Sequence, residues 1–134
     1  MRKLFLTFCF LASVLCPLLQ AAAPVELAPG LRYLRIHSLA ESAPDLSDAL
    51  LKPTPLILDL RYVTNEREGA DALRALNSQP AKPKLYVLVS PDTPKDVAEI
   101  LTKTSTPLVT LGIRNSRPAP GVVVEQSAAD DRRA

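Results

Sequence analysis

Apolar and polar positions alternate in blocks along this chain, and the period changes from block to block. "GLRYLRIHSL" carries β-branched and aromatic residues and predicts a strand from Leu31 to His37. "SAPDLSDALLK" then places Leu46, Ala49 and Leu50 at helical spacing, with Ser42 as the expected cap and Pro44 in the first turn. "TPLILDL" is a short apolar run after two prolines and predicts a buried strand ending near Leu60. "RYVTNEREG" is polar and reads as a loop, and "GADALRALNS" sets Ala70, Ala72, Leu73 and Leu76 on one helical face. "KLYVLVS" is a third strand. "TPKDVAEILTK" is the strongest helix signal, with Thr93 as expected cap, Pro94 at the first position and Asp96 three residues after the cap. "PLVTLGI" gives a fourth strand, "VVVEQ" a short last one, and "SAADDRRA" a polar tail.

Strands separated by helices pair in parallel through right-handed crossovers. The expectation is therefore an α/β fold with a mostly parallel sheet covered by helices. The block ahead of it is different. Arg2 and Lys3 precede the apolar run "LFLTFCFLASVLCPLL", and Ala21 to Ala23 supply small residues. That is the layout of an export signal over residues 1–23, with one domain over 24–134. The apolar run is shorter than the roughly 20 residues a membrane span needs, so no stable span is expected. Cys16 raises lipidation, but Leu15 before it is bulky where such signals carry a small residue.

Removing the leader changes the chemistry that remains. Cys9 and Cys16, the only cysteines, leave with it, so neither a disulfide nor a thiol nucleophile is expected in the exported part. Arg2 and Lys3 leave too, so the 16 Lys and Arg drop to 14, against 14 Asp and Glu. A chain without net charge and without tryptophan offers neither the basic face nor the stacking platform that nucleic-acid binding uses. His37 is the single histidine and has no cysteine beside it, which sets aside a zinc site. No cofactor motif is present.

The order of segments resembles the core of the C-terminal processing (tail-specific) serine proteases. "LILDLR" is similar to that family's "LILDLRxNxGG", and "LYVLVSPDTPKDVAEIL" to its "VVLVxxxTASASEIL". "PLVTLG" resembles its following "A-x-V-V-G" strand, and "PGVVVEQSAADDRRA" its closing "PDVVVE" and charged tail. The resemblance implies a ClpP/crotonase-like fold and descent from a peptidase with a Ser–Lys dyad. It also implies the dyad's loss. With Glu99 in the place of the family's glutamate, Asp96 stands where the nucleophilic serine would be, and a shift of one residue substitutes Lys95 or Val97. The family's catalytic lysine follows the "VVG" strand. Here "GIRNSRPAPG" holds only Arg114 and Arg117. The family's paired glycines, which let backbone N–H groups reach an oxyanion, reduce to a single displaced Gly69.

Each candidate group also has a plain structural role. Asp96 suits a helix start, where the macrodipole favours a carboxylate. Ser90 with Lys95 would make an alternative dyad, but a lysine in a solvated first turn stays protonated near ~10.4. Thr93 reads as a cap, and Gly69 as a turn glycine or a relic of the oxyanion loop. Asp59 lies in an apolar run, and pairing with Arg61 or nearby N–H groups is expected there. The expectation is an exported pseudo-protease of the periplasm or extracellular space that engages a peptide or protein segment. The competing reading is a residual serine-type peptidase using Ser90 or Thr93.

Overall fold

A computed structural model of the protein describes residues 23–64, 70–78 and 83–125. Residues 1–22 of the expected export signal, Gly69 and the "SAADDRRA" tail lie outside the described residues. Among the described residues six strands form one sheet in strictly sequential order. They are β1 (Val25–Ala28), β2 (Leu31–Arg35), β3 (Leu56–Asp59), β4 (Leu85–Val89), β5 (Leu108–Gly112) and β6 (Val122–Val123). The β1–β2 pair is antiparallel and every other pair is parallel. Three helices make the crossovers: α1 (Leu39–Leu51), α2 (Ala70–Arg74, continued by a 3-10 turn at Ala75–Ser78) and α3 (Lys95–Lys103). The fold is thus α/β with a mostly parallel sheet, as the alternation of periods predicts.

The strand order decides where the helices go. When each parallel strand is added on the same side of the last, right-handed crossovers place every helix on one face. Accordingly α1 contacts α2, and α2 contacts α3, as a single layer. Alternate strand residues point into that layer. Leu34, Ile36, Leu56, Leu58, Leu60, Leu85, Val87 and Val89 are all at most 1% exposed. They meet Leu39, Leu46 and Leu50 of α1, Leu73 of α2, and Val97, Ile100 and Leu101 of α3 in one core. The registers put the remaining positions on the opposite face. Tyr33, Ile57, Tyr86 and Val109 form one cross-strand row, and Arg35, Asp59, Leu88 and Leu111 the next. No described helix covers that face, so the helices cover the sheet on one side only.

Several boundaries differ from the sequence expectation. The first helix begins at Leu39, not after Ser42. Ser38 is its cap and accepts the Glu41 N–H at 3.2 Å, in a Ser-x-x-Glu pattern, while Ser42 is buried inside the helix and Pro44 falls in its interior. Thr93 is not the cap of α3. Pro94 holds that position without a side-chain bond, and the buried Thr93 hydroxyl serves the preceding turn instead. β2 stops at Arg35, leaving His37 in an exposed bend where its carbonyl takes the Thr64 N–H at 2.9 Å. The hairpin strand β1 lies ahead of the first strand that the sequence pattern predicts. It turns through Pro29 and Gly30, and Gly30 adopts φ 77°, a conformation glycine tolerates best. Among the described residues no helix is long and apolar enough to cross a membrane.

Candidate functional site

Open parallel sheets bind ligands beyond the carboxyl ends of their strands, where the chain leaves each strand for the next helix. Here that edge carries a cleft of about 580 Å³. Leu88 and Leu111 of the uncovered face line it together with Arg61, Tyr62, Ser90 and Val124.

The polar groups around this cleft are committed to the fold. Ser90 follows β4 directly. Its hydroxyl donates to the Arg61 carbonyl at 2.9 Å and accepts the Asp92 N–H at 3.2 Å. Its backbone N–H donates to Thr93 Oγ1 at 2.9 Å, and its carbonyl accepts the N–H groups of Thr93 and Arg117. Thr93, 2% exposed, turns its own hydroxyl toward the Leu60 carbonyl at 3.5 Å. Both hydroxyls therefore fasten the β4–α3 turn to the end of β3. Lys95 is not among the partners of Ser90. Lys95 and Asp96 open α3 at exposed positions, and Glu99 pairs with Lys103 along the same helix. That hydrogen bond from Lys103 holds the Glu99 carboxyl below its usual range. Among the described residues the structure does not bring Ser90, Thr93, Lys95 and Asp96 together as nucleophile and base.

A second cluster stands on the uncovered face beside the cleft. Asp59 is fully buried. Its Oδ1 accepts the Arg61 N–H at 3.1 Å and Nε at 3.0 Å, and its Oδ2 accepts Arg61 Nη2 at 2.9 Å and the Tyr33 hydroxyl at 2.7 Å. Burial alone would push this carboxyl up. The hydrogen bonds from the Arg61 side chain, Tyr33 and the Arg61 N–H outweigh it and hold the group below its ordinary value. Asp59 in turn keeps the Arg61 guanidinium firmly charged. Burial, and then the bond to Asp59, raises the Tyr33 hydroxyl. The exposed Tyr62 ring lies 4.7 Å from the Arg35 guanidinium and 5.4 Å from that of Arg61. The sequence pairs Asp59 with Arg61 correctly. Tyr33, Arg35 and Tyr62 are brought in by the β2–β3 register, and no spacing in the sequence announces them.

Gly112 shapes the cleft from below. A Cβ there would sit 2.6 Å from Ser116 Oγ and 2.7 Å from the Val89 carbonyl, so only a bare backbone lets the β5 loop close on β4. Ser116 Oγ donates to that same carbonyl at 3.2 Å. Among the described residues no three of His, Cys, Asp and Glu gather as metal ligands would.

No family model, no curated protein and no solved structure matches the chain.

The hydroxyl bonds give a direct expectation. Thr93→Val removes the acceptor of the Ser90 N–H and should destabilise the domain by about 1–3 kcal/mol, the cost of a buried donor left without a partner. Ser90→Ala removes a half-buried hydroxyl near water and should cost about 1 kcal/mol. Thermal melts of the two variants measure both.

Proposed function

We propose that the protein is an exported, non-catalytic relative of the tail-specific proteases, with a ClpP/crotonase-like ancestry, that binds a peptide or protein segment in the cleft at the carboxyl ends of β4 and β5. The observation that carries this reading is the use of Ser90 and Thr93. A serine nucleophile needs a base within hydrogen-bond reach to take its proton. The Ser90 hydroxyl instead donates to a backbone carbonyl, which cannot accept a proton at neutral pH. Leu88 and Leu111 in the cleft lining suit an apolar side chain, and Arg61 in the same lining is held charged for a polar contact. The sequential parallel strands with one helix layer support the proposed ancestry.

Three measurements test the reading. Protein made from the full reading frame in a Gram-negative host should lose roughly 20 residues, the length of an export leader. Intact mass spectrometry of the extracytoplasmic fraction reads this out, and the full-length chain in membranes would mean that the segment is an anchor. Neither the native protein nor Asp96→Ser should react with a fluorophosphonate probe above background. Unstructured peptides should be captured without turnover. Stoichiometric labelling of native protein at Ser90 would establish the residual peptidase instead.

A further inference from the structure

The lining of the cleft changes charge in strand order. Arg61 and Tyr62 follow β3, Leu88 and Asp92 belong to β4 and the turn after it, Leu111 belongs to β5, and Glu125 follows β6. The β3 end is cationic. Asp59 takes the Nε and Nη2 donors of Arg61, and Nη1 has no hydrogen-bond partner among the described residues. The outer edge of that guanidinium fork is therefore open to a second carboxylate. Arg35, 4.7 Å from the Tyr62 ring, adds a cation that has no acidic partner among the described residues.

The lining contributed from β4 to β6 is anionic. Asp92 and Glu125 are exposed, and neither forms an ion pair with a described residue. Arg114 and Arg117, on the connection from β5 to β6, are not part of the lining and pair with neither acid. Leu88 and Leu111 come between the two charged ends in strand order. The geometry points to an occupant that carries both charges: an extended peptide segment with an acidic side chain against Arg61, apolar residues over Leu88 and Leu111, and a basic side chain against Glu125. This rests on the reading of the cleft as a peptide site and specifies which peptide.

The strand spacing sets the distance between the two charges. Arg61 and Glu125 follow strands three steps apart in the sheet, ~14 Å at ~4.8 Å per step. An extended chain advances about 3.3–3.6 Å per residue, so the acidic and basic residues belong about four positions apart. A segment of uniform charge would meet a repelling group at one end, which is how such a cleft discriminates between occupants. Glu125 is exposed beyond the last strand, so its charge can be reversed without disturbing the core.

The test uses protein expressed from the full reading frame. The probe is an acetylated and amidated peptide, Glu-Val-Leu-Val-Lys between glycines, carrying a neutral dye and read by fluorescence anisotropy. At low salt, replacing its Lys with Glu or its Glu with Lys should weaken binding to the native protein by about 10-fold. Glu125→Lys should reverse the first of these effects, so that the peptide with two Glu binds tighter than the original. Both effects should shrink at 1 M salt, where the Debye length is about 3 Å. The peptide substitutions are read on native protein, so the result does not depend on the folding of Glu125→Lys. Equal binding of all these peptides overturns the charge order and leaves the peptide site standing. Binding of none overturns the proposal and the peptide site together. A folded Glu125→Lys that ranks the peptides as the native protein does also overturns the proposal. So does a Val-Leu-Val peptide with free termini that binds as tightly as the probe, because terminal charges then suffice.

Discussion

Leu58→Asp should abolish cooperative folding. Leu58 lies in the third of six strands, fully buried, with Leu34 and Val87 beside it in register and equally buried. Burying a leucine side chain stabilises by about 1.5–3 kcal/mol, and this is lost outright. The new carboxyl faces only apolar groups under the helix layer, and an unpaired charge there costs several kcal/mol or forces protonation. Together these reach the lower part of the roughly 5–15 kcal/mol that holds a domain of this size, and a short chain lies toward that lower end. Far-UV circular dichroism should show no sigmoidal thermal transition. The adjacent residue provides the control. Ile57 points to the uncovered face, so Ile57→Asp should leave a cooperative melt. A retained transition in Leu58→Asp with a lost one in Ile57→Asp would mean that the two faces are reversed.

That contrast also shows where sequence pattern falls short. "LILDL" reads as one continuous apolar run, which suits a strand buried on both faces. In the fold only Leu56, Leu58 and Leu60 enter the core, and Ile57 and Asp59 face the uncovered side. Period alone does not separate a strand covered twice from one covered once. The helix layer follows from strand order, and strand order is a property of the whole chain. Local signals failed where two competed. Ser38 and Ser42 both precede the α1 pattern, and Glu41, three residues after Ser38, is what marks the first as the cap. Thr93 and Pro94 both suit a helix start, but the Thr93 hydroxyl has a nearer partner in the Ser90 N–H. β1 is exposed along all four of its residues, so it has no inner face for a sequence pattern to mark. In the site, the Asp59–Arg61 pair is legible because the partners are two residues apart in sequence, Asp59 ending β3 and Arg61 in the turn that follows. Tyr33 joins them across 26 residues, a distance only the β2–β3 register closes.

The Asp59 cluster yields the second large effect, and its pH dependence identifies the cause. Asp59→Asn keeps the shape of the side chain but removes its charge. It also presents an N–H₂ group where one oxygen accepted, so the Arg61 or Tyr33 donors meet a donor. Breaking a fully buried ion pair costs about 3–5 kcal/mol. Arg61 is 43% exposed and can turn to water, so the expected loss at pH 7 is smaller, about 2–3 kcal/mol. Urea unfolding of both proteins measures it. The folded Asp59 carboxyl is held below its unfolded value of roughly 3.9. Its contribution is therefore fully present above that value and lost as pH falls through the lower folded value. The stability gap between wild type and Asp59→Asn should stay constant from pH 7 to about 5 and narrow as pH falls below about 4. A gap that stays constant down to pH 2 would show that Asp59 acts through shape and packing alone. A gap that closes already between pH 7 and 5 would mean that burial, not Arg61 and Tyr33, sets the titration of this carboxyl.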